Sequence, residues 1–454
     1  MIKQVWRTGK WPADWTQSTF VPIYKKGDPT VCANYRTISL ISHASKVLLK
    51  IIQDRIRDKM EFEVAEEQAG FRQGRGTQNH LCNLRILPER ARAHKQPLFL
   101  CFIDFKKAFD TVSHKLWRAM LNMGFAPHLV ALIKSLYSAQ RSNVRVHGQT
   151  SNWFTVLKRV RQGCLLSPYL FNILAEFLMH VALDGYSGGF RIGGRLINNL
   201  RYADDIVLVA SSEEELQEVV SRVHGAAEDA GMKINVKKTE VMKVCKNAPP
   251  MRITENGDTI SEVSSLKYLG ARFNAKALCD KEIKTRLALA RERMGKLDPL
   301  WRSRAISPPL KARLIQSLVW PILTYGTEAW SDPVQGFEMQ CYRRSMKISY
   351  TKHVTNEEVL ERVEQNRNLL AMVKTHKLKY FGHISRQDSL KNDIMLGTMP
   401  SVRRQGGQRK QWIDDLTEWS NNSIPGLVLK PQDRSAYQRF VYKVAHARNS
   451  GMAP

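Results

Sequence analysis

Apolar residues recur with two different periods along this chain, and the changes of period predict its elements. Leu98 to Ile103 is a continuous apolar run that stops at Asp104, the pattern of a strand buried on both faces. Two shorter apolar runs, Leu196 to Tyr202 and Ile206 to Ala210, flank Ala203-Asp204 and predict strands around a tight turn. Elsewhere the spacing is helical. Val47, Leu48, Ile51, Ile52 and Ile56 predict one helix, and residues 113–140 predict helix with a break at Gly124 to Pro127. Tyr169 to Leu183 predicts another after Pro168. Ser212 followed by Glu215 is a capping-box pattern opening a helix that gathers Leu216, Val219, Val220, Val223, Ala226, Ala227 and Ala230 on one face. Gly231 ends it. Strand, hairpin and helix interleave, so the fold class is α+β.

From about residue 276 the pattern turns helical and basic, with ten Lys or Arg against three Asp or Glu over 281–313. A Gly/Arg/Gln-rich stretch at 397–411 predicts a basic loop. Over all 454 residues, 70 Lys and Arg face 42 Asp and Glu, a formal charge of +28. A surface this positive favours a polyanion, and nucleic acid leads over an anionic membrane. Seven widely spaced cysteines build no local zinc motif and point to reduced thiols in an intracellular compartment, nuclear or cytoplasmic. The N-terminal residues do not form a signal peptide, and the Leu98–Ile103 run is far too short to span a bilayer, so no membrane is expected.

The candidate chemistry lies in the acids. Tyr202-Ala203-Asp204-Asp205 puts two carboxylates at a hairpin turn between apolar strands, where they are costly to bury without a cation. A solvated turn aspartate would explain either residue alone. Asp104, ending another buried strand one hundred residues earlier, makes a third. Three acids converging from strand ends would hold two Mg²⁺ ions, with Mn²⁺ as a substitute, for phosphoryl transfer.

Several blocks then resemble those of LINE-type (non-LTR) retrotransposon reverse transcriptases. Phe102-Ile103-Asp104-Phe105-Lys106-Lys107-Ala108-Phe109-Asp110 is similar to motif A of that family, and Arg161-Gln162-Gly163-Cys164-Leu165-Leu166-Ser167-Pro168 to motif B. Tyr202-Ala203-Asp204-Asp205 resembles motif C, Gly231 to Thr239 motif D, and Leu266-Lys267-Tyr268-Leu269-Gly270 the primer grip. Asn34 to Leu40 and Gln68 to Gly74 resemble the fingers motifs. Trp320-Pro321, Tyr325 to Trp330 and Arg409 to Asp415 look like signatures found after the thumb. Thr37 stands where the family commonly has Pro, and Arg159 where it commonly has Gly.

The resemblance implies a right-hand polymerase: fingers over 1–95, a palm with an antiparallel sheet and interleaved fingers elements over 96–275 (motifs A to E), a helical thumb over 276–340, and a basic helical region over 341–454. It implies an RNA-directed DNA polymerase working on an RNA template, a DNA primer, their hybrid and dNTPs. Asp104, Asp204 and Asp205 would bind metal, with the Phe105 carbonyl as a further oxygen. Phe109 would reject a ribose 2′-hydroxyl, and Gln162 and Gly163 would line the incoming nucleotide. Arg72 and Arg36 would neutralise the triphosphate, and Lys238 would protonate pyrophosphate. Tyr268, Leu269 and Gly270 would hold the primer. Family members also carry an endonuclease, for which these residues offer no candidate; a truncated reading frame is the expectation, and a decayed remnant that binds nucleic acid without polymerising is the alternative.

Overall fold

The computed structural model describes residues 1–106, 115–156, 160–161, 163–244, 249–329, 336–366, 368–400 and 409–447. Its centre is a five-stranded sheet in the order Ser261–Glu262, Glu240–Lys243, Phe99–Ile103, Asp205–Ala210, Asn199–Tyr202. The pairs are antiparallel except at the Ser261–Glu262 edge, which runs parallel to its neighbour. Phe99–Ile103 is central and buried along its whole length, as its unbroken apolar run predicts. The period of two then divides its side chains between two cores. Phe99, Cys101 and Ile103 enter one, with Ile206 and Leu208 of the neighbouring strand. Leu100 and Phe102 enter the other, with Val207 and Val209. Each such side chain contributes roughly 1.5–3 kcal/mol by leaving water.

Helices cover the first face. His43–Glu63, Lys115–Asn122, Pro127–Ser138, Ser167–Leu183 and Glu213–Asp229 all contribute to that core. The break before Pro127 is made by Gly124, with φ of 73°. In Glu213–Asp229 the predicted face is buried from Leu216 to Ala227, and the Ser212 hydroxyl caps the Glu215 N–H. The Glu215 carboxylate does not close the capping box; it binds the backbone N–H groups of Ser211 and Gly189. The helix at His43–Glu63 differs from its predicted face. It buries Leu48, Leu49, Ile52, Ile56 and Met60, while Val47 and Ile51 are exposed. An i,i+4 pair beside the buried stripe follows the same helical spacing as the stripe itself, so the sequence pattern included both.

A second sheet has the order Tyr35–Leu40, Gln17–Tyr24, Arg141–Val146, Gln149–Thr150, with Phe154–Thr155 also on Arg141–Val146. Thr37 lies in it, opposite Pro22.

The later helices divide differently from the expected boundary at 340. A third core runs continuously from Cys279 to Leu369, joining Asp280–Lys296 and Pro308–Leu318 to Phe337–Ser345 and Asn356–Arg362. Beyond it, Leu369–Ser385, Leu390–Leu396, Asp414–Ser420 and Arg434–His446 return to the second core under the central sheet. The basic C-terminal region is therefore part of the support of the sheet. Among the described residues, no helix is long and apolar enough to cross a membrane.

Candidate active site

The register of the central sheet decides which acids meet. Ile103 pairs with Ile206, so one step further along the antiparallel pair Asp104 stands opposite Asp205. Asp205 also pairs with Tyr202 across the hairpin, leaving Ala203 and Asp204 as the turn. Directly opposed residues share a sheet face, and this one carries Phe102 and Val207 of the second core.

Asp104 is half-exposed and held from one side by the Gly231–Thr239 segment. The Asn235 side-chain amide donates to its carboxylate at 3.0 Å, and the Asn235 backbone N–H donates to its carbonyl at 2.7 Å. Lys238 Nζ lies 3.8 Å from the same carboxylate oxygen as Asn235. Phe105 is buried and bridges Ile234, but the bridge uses the Asp104 carbonyl and the Lys106 N–H, which leaves the Phe105 carbonyl out of it.

The three acids feel one another. Burial, then the Asp104 charge, raises the Asp204 carboxyl above the ordinary aspartate range, against the pull of Arg36. Burial, then the charges of Asp204 and Asp104, pushes Asp205 up to about 6. Among the described residues, no three His, Cys, Asp or Glu side chains already stand in the closed arrangement of a metal site. The donor set nevertheless fits a hard divalent cation: its oxygens carry mutual repulsion that such an ion would remove.

Other expected site residues sit elsewhere. Arg36 is exposed on the strand Tyr35–Leu40, within electrostatic reach of Asp204. Gly163 turns with φ of 103°, and a Cβ there would come within 3.2 Å of the Ser39 carbonyl, so the loop packs closely on that strand only as glycine. Arg72 is not brought to the acids. It is buried, with its guanidinium bound to the Glu61 carboxylate and to the carbonyls of Glu61, Ala65 and Gln68. Four of its five N–H donors serve the fold, so the structure turns this guanidinium inward and away from the expected triphosphate role. Phe109 and Gln162, and with them Asp110 and Arg159, lie outside the described residues.

Tyr268 is also turned inward. Its hydroxyl donates to the Asp205 carbonyl at 3.0 Å and lies 3.2 Å from His80 Nε2. Burial, then the charges of Asp205 and Asp204, raises this phenol far above its ordinary range. Burial holds His80 neutral, at about 3. The ring thus supports the acid strand from beneath, while Lys267, Gly270 and Arg272 of the same hairpin are exposed. The turn residues Leu269 and Gly270 both have positive φ, 46° and 80°, the type I′ pattern. Tyr325 donates to the Leu269 carbonyl at 2.6 Å, and Arg286, stacked 4.4 Å above the Tyr325 ring, donates to the Gly270 carbonyl. Sequence reading passed over Asn235 and His80. Asn235 stood inside a quoted block, whereas His80 carried no local signal.

The family described as "Reverse transcriptase (RNA-dependent DNA polymerase)" matches residues 23–273. The chain belongs to the reverse transcriptase family. The expected kinship with non-LTR retrotransposon enzymes holds as well. The reverse transcriptase is 26% identical over 323 residues to a "Retrovirus-related Pol polyprotein from type-1 retrotransposable element R2" of Nasonia vitripennis, covering 68% of this chain and 31% of that one. It is 24% identical over 341 residues to the "RNA-directed DNA polymerase from mobile element jockey" of Drosophila melanogaster, covering 73% and 37%. The chain therefore spans about a third of the length of these relatives. Among solved structures, telomerase from Candida tropicalis with a fragment of telomeric RNA aligns at a TM-score of 0.44 and 11% identity, covering 87% of this chain and 66% of that one. Reverse transcriptases in general use divalent metal ions.

Proposed function

We propose that this reverse transcriptase adds dNTPs to a DNA primer on an RNA template, with Asp104, Asp204 and Asp205 holding two Mg²⁺ ions. The register that sets Asp104 opposite Asp205, beside the turn carrying Asp204, carries this reading. When bound, the two ions lower the pKa of the primer 3′-hydroxyl and balance the charge on the leaving pyrophosphate. The protein's own part is positioning and charge. Asn235 orients Asp104 through its side-chain amide. Lys238 protonates pyrophosphate, a role supported by its exposure and its 3.8 Å separation from Asp104, and Arg36 neutralises the triphosphate, supported by its electrostatic reach to Asp204. The Leu269-Gly270 turn holds the primer end, with Tyr268 as its buried anchor. Phe109, five residues beyond Asp104, acts as the sugar gate, and Gln162 with Gly163 lines the nucleotide.

The test is primer extension on poly(rA)/oligo(dT) with Mg²⁺ and dTTP. Incorporation is expected. Folded protein that binds the RNA–DNA hybrid and incorporates nothing would establish a non-catalytic nucleic-acid binder instead.

A second expectation concerns pH. The raised Asp205 carboxyl means the folded state holds this proton more tightly than the unfolded chain. Its contribution to stability is full below the unfolded value near 4 and is lost as pH rises through about 6. Mg²⁺ should therefore raise the melting temperature at pH 7.5, by about 2 °C or more, and raise it little at pH 5. Asp205→Asn should shrink that contrast; equal gains at both pH values would argue against metal binding by these acids.

A further inference from the structure

Ala203 has φ of 58°, in a region that residues with a Cβ rarely adopt, while Asp204 does not. Positive φ at the first central residue alone is the type II′ pattern, whose first position favours glycine. The alanine is nearly buried and held there by one side chain. Gln68, fully buried, accepts from the Ala203 N–H at 2.9 Å through Oε1 and offers Nε2 to the Ala203 carbonyl at 3.5 Å. The same Oε1 accepts from the Gly70 N–H at 2.8 Å. The flanking backbone is bound too: Ala69 N–H donates to the Arg201 carbonyl, and Arg201 N–H to the Glu67 carbonyl. Gly70 packs so closely that a Cβ would lie 2.3 Å from the Ala203 nitrogen, and its carbonyl accepts from Asn172 at 2.8 Å.

We propose that Gln68 is a positioning residue for the acid turn: its buried amide holds Ala203 in a conformation that only glycine adopts without strain, and so aims Asp204 and Asp205. This inference rests on the polymerase reading for its effect on rate, though not for its effect on metal affinity. Without the amide, the strain at Ala203 is free to relax, and the competent turn becomes a minor population.

Gln68→Met should lower kcat for dTTP about tenfold, the scale of one strained non-glycine residue. KM for dTTP and primer–template affinity should stay near wild type. Mn²⁺ affinity, read by titration of free Mn²⁺, should fall by a similar factor. The decisive variant is Gln68→Met with Ala203→Gly. Glycine needs no clamp, so the double variant should recover most of the lost kcat and Mn²⁺ affinity, whereas a merely structural role of Gln68 predicts additive losses. Gln68→Asn, which withdraws the amide by one methylene while keeping a polar group, should act in the same direction if the methionine variant melts below the assay temperature. Wild-type values in the single variants, or no recovery in the double, would overturn the clamp. Wild type that binds Mn²⁺ yet extends no primer refutes the polymerase reading and leaves the Mn²⁺ arm to judge the clamp. Wild type that does neither overturns both.

Discussion

Asp204→Asn should abolish primer extension, lowering kcat by about 10³-fold or more, the scale for removing a principal source of transition-state charge stabilisation. Asparagine matches aspartate in shape, so the turn and its bonds to Gln68 should persist. Its effect on stability should run the other way. Asp204 is partly buried beside Asp104 and helps push Asp205 up to about 6, so deleting its charge relieves repulsion in the metal-free protein. The expected result is a dead enzyme whose melting temperature without metal equals or exceeds that of wild type and responds less to Mg²⁺. Appreciable residual activity, above about 1% of wild type, would move the metal-binding role away from this residue.

The second large effect should be on stability and lies far from the acids. Lys377, on Leu369–Ser385, is fully buried and pairs with Asp415, itself 2% exposed. Its ammonium lies 4.7 Å from the Trp412 ring centre and 5.5 Å from that of Trp419, and Lys410 reaches the other Asp415 oxygen at 2.8 Å. Burial lowers the Lys377 pKa and Asp415 raises it again. Asp415→Asn strips the counter-charge from a buried cation and should cost roughly 3–5 kcal/mol, read as an earlier denaturant midpoint. Replacing both partners, Lys377→Met with Asp415→Leu, should recover most of that loss, because an apolar pair needs no compensation. A cost below about 1 kcal/mol for Asp415→Asn would mean the ammonium is satisfied without it.

The Arg409 to Asp415 block illustrates how far the sequence could be read. Its likeness to a signature after the thumb was plain, but its work was not. Trp412 donates to the Glu328 carbonyl of the other such signature, and its backbone N–H donates to Glu89 on Thr77–Ala93. These partners are 84 and 323 residues away. No pattern along the chain encodes such a meeting.

The same division runs through the active site. By itself the sequence determined the buried strand ending at Asp104, the hairpin around Ala203-Asp204 and the helix capped by Ser212, because period and turn chemistry act over a few residues. The predicted Leu196 to Tyr202 strand is divided, Arg195–Ile197 pairing instead with Phe190–Ile192. The sequence also named the three acids, since adjacent carboxylates at the end of apolar runs are legible locally. Only the tertiary structure decided where long polar side chains point. Arg72 turned into the fold, Tyr268 turned beneath Asp205, and Gln68 reached across 135 residues to Ala203. Each of these side chains can meet its hydrogen-bonding need in several directions, and the one it takes is set by which distant backbone groups the folded chain buries beside it.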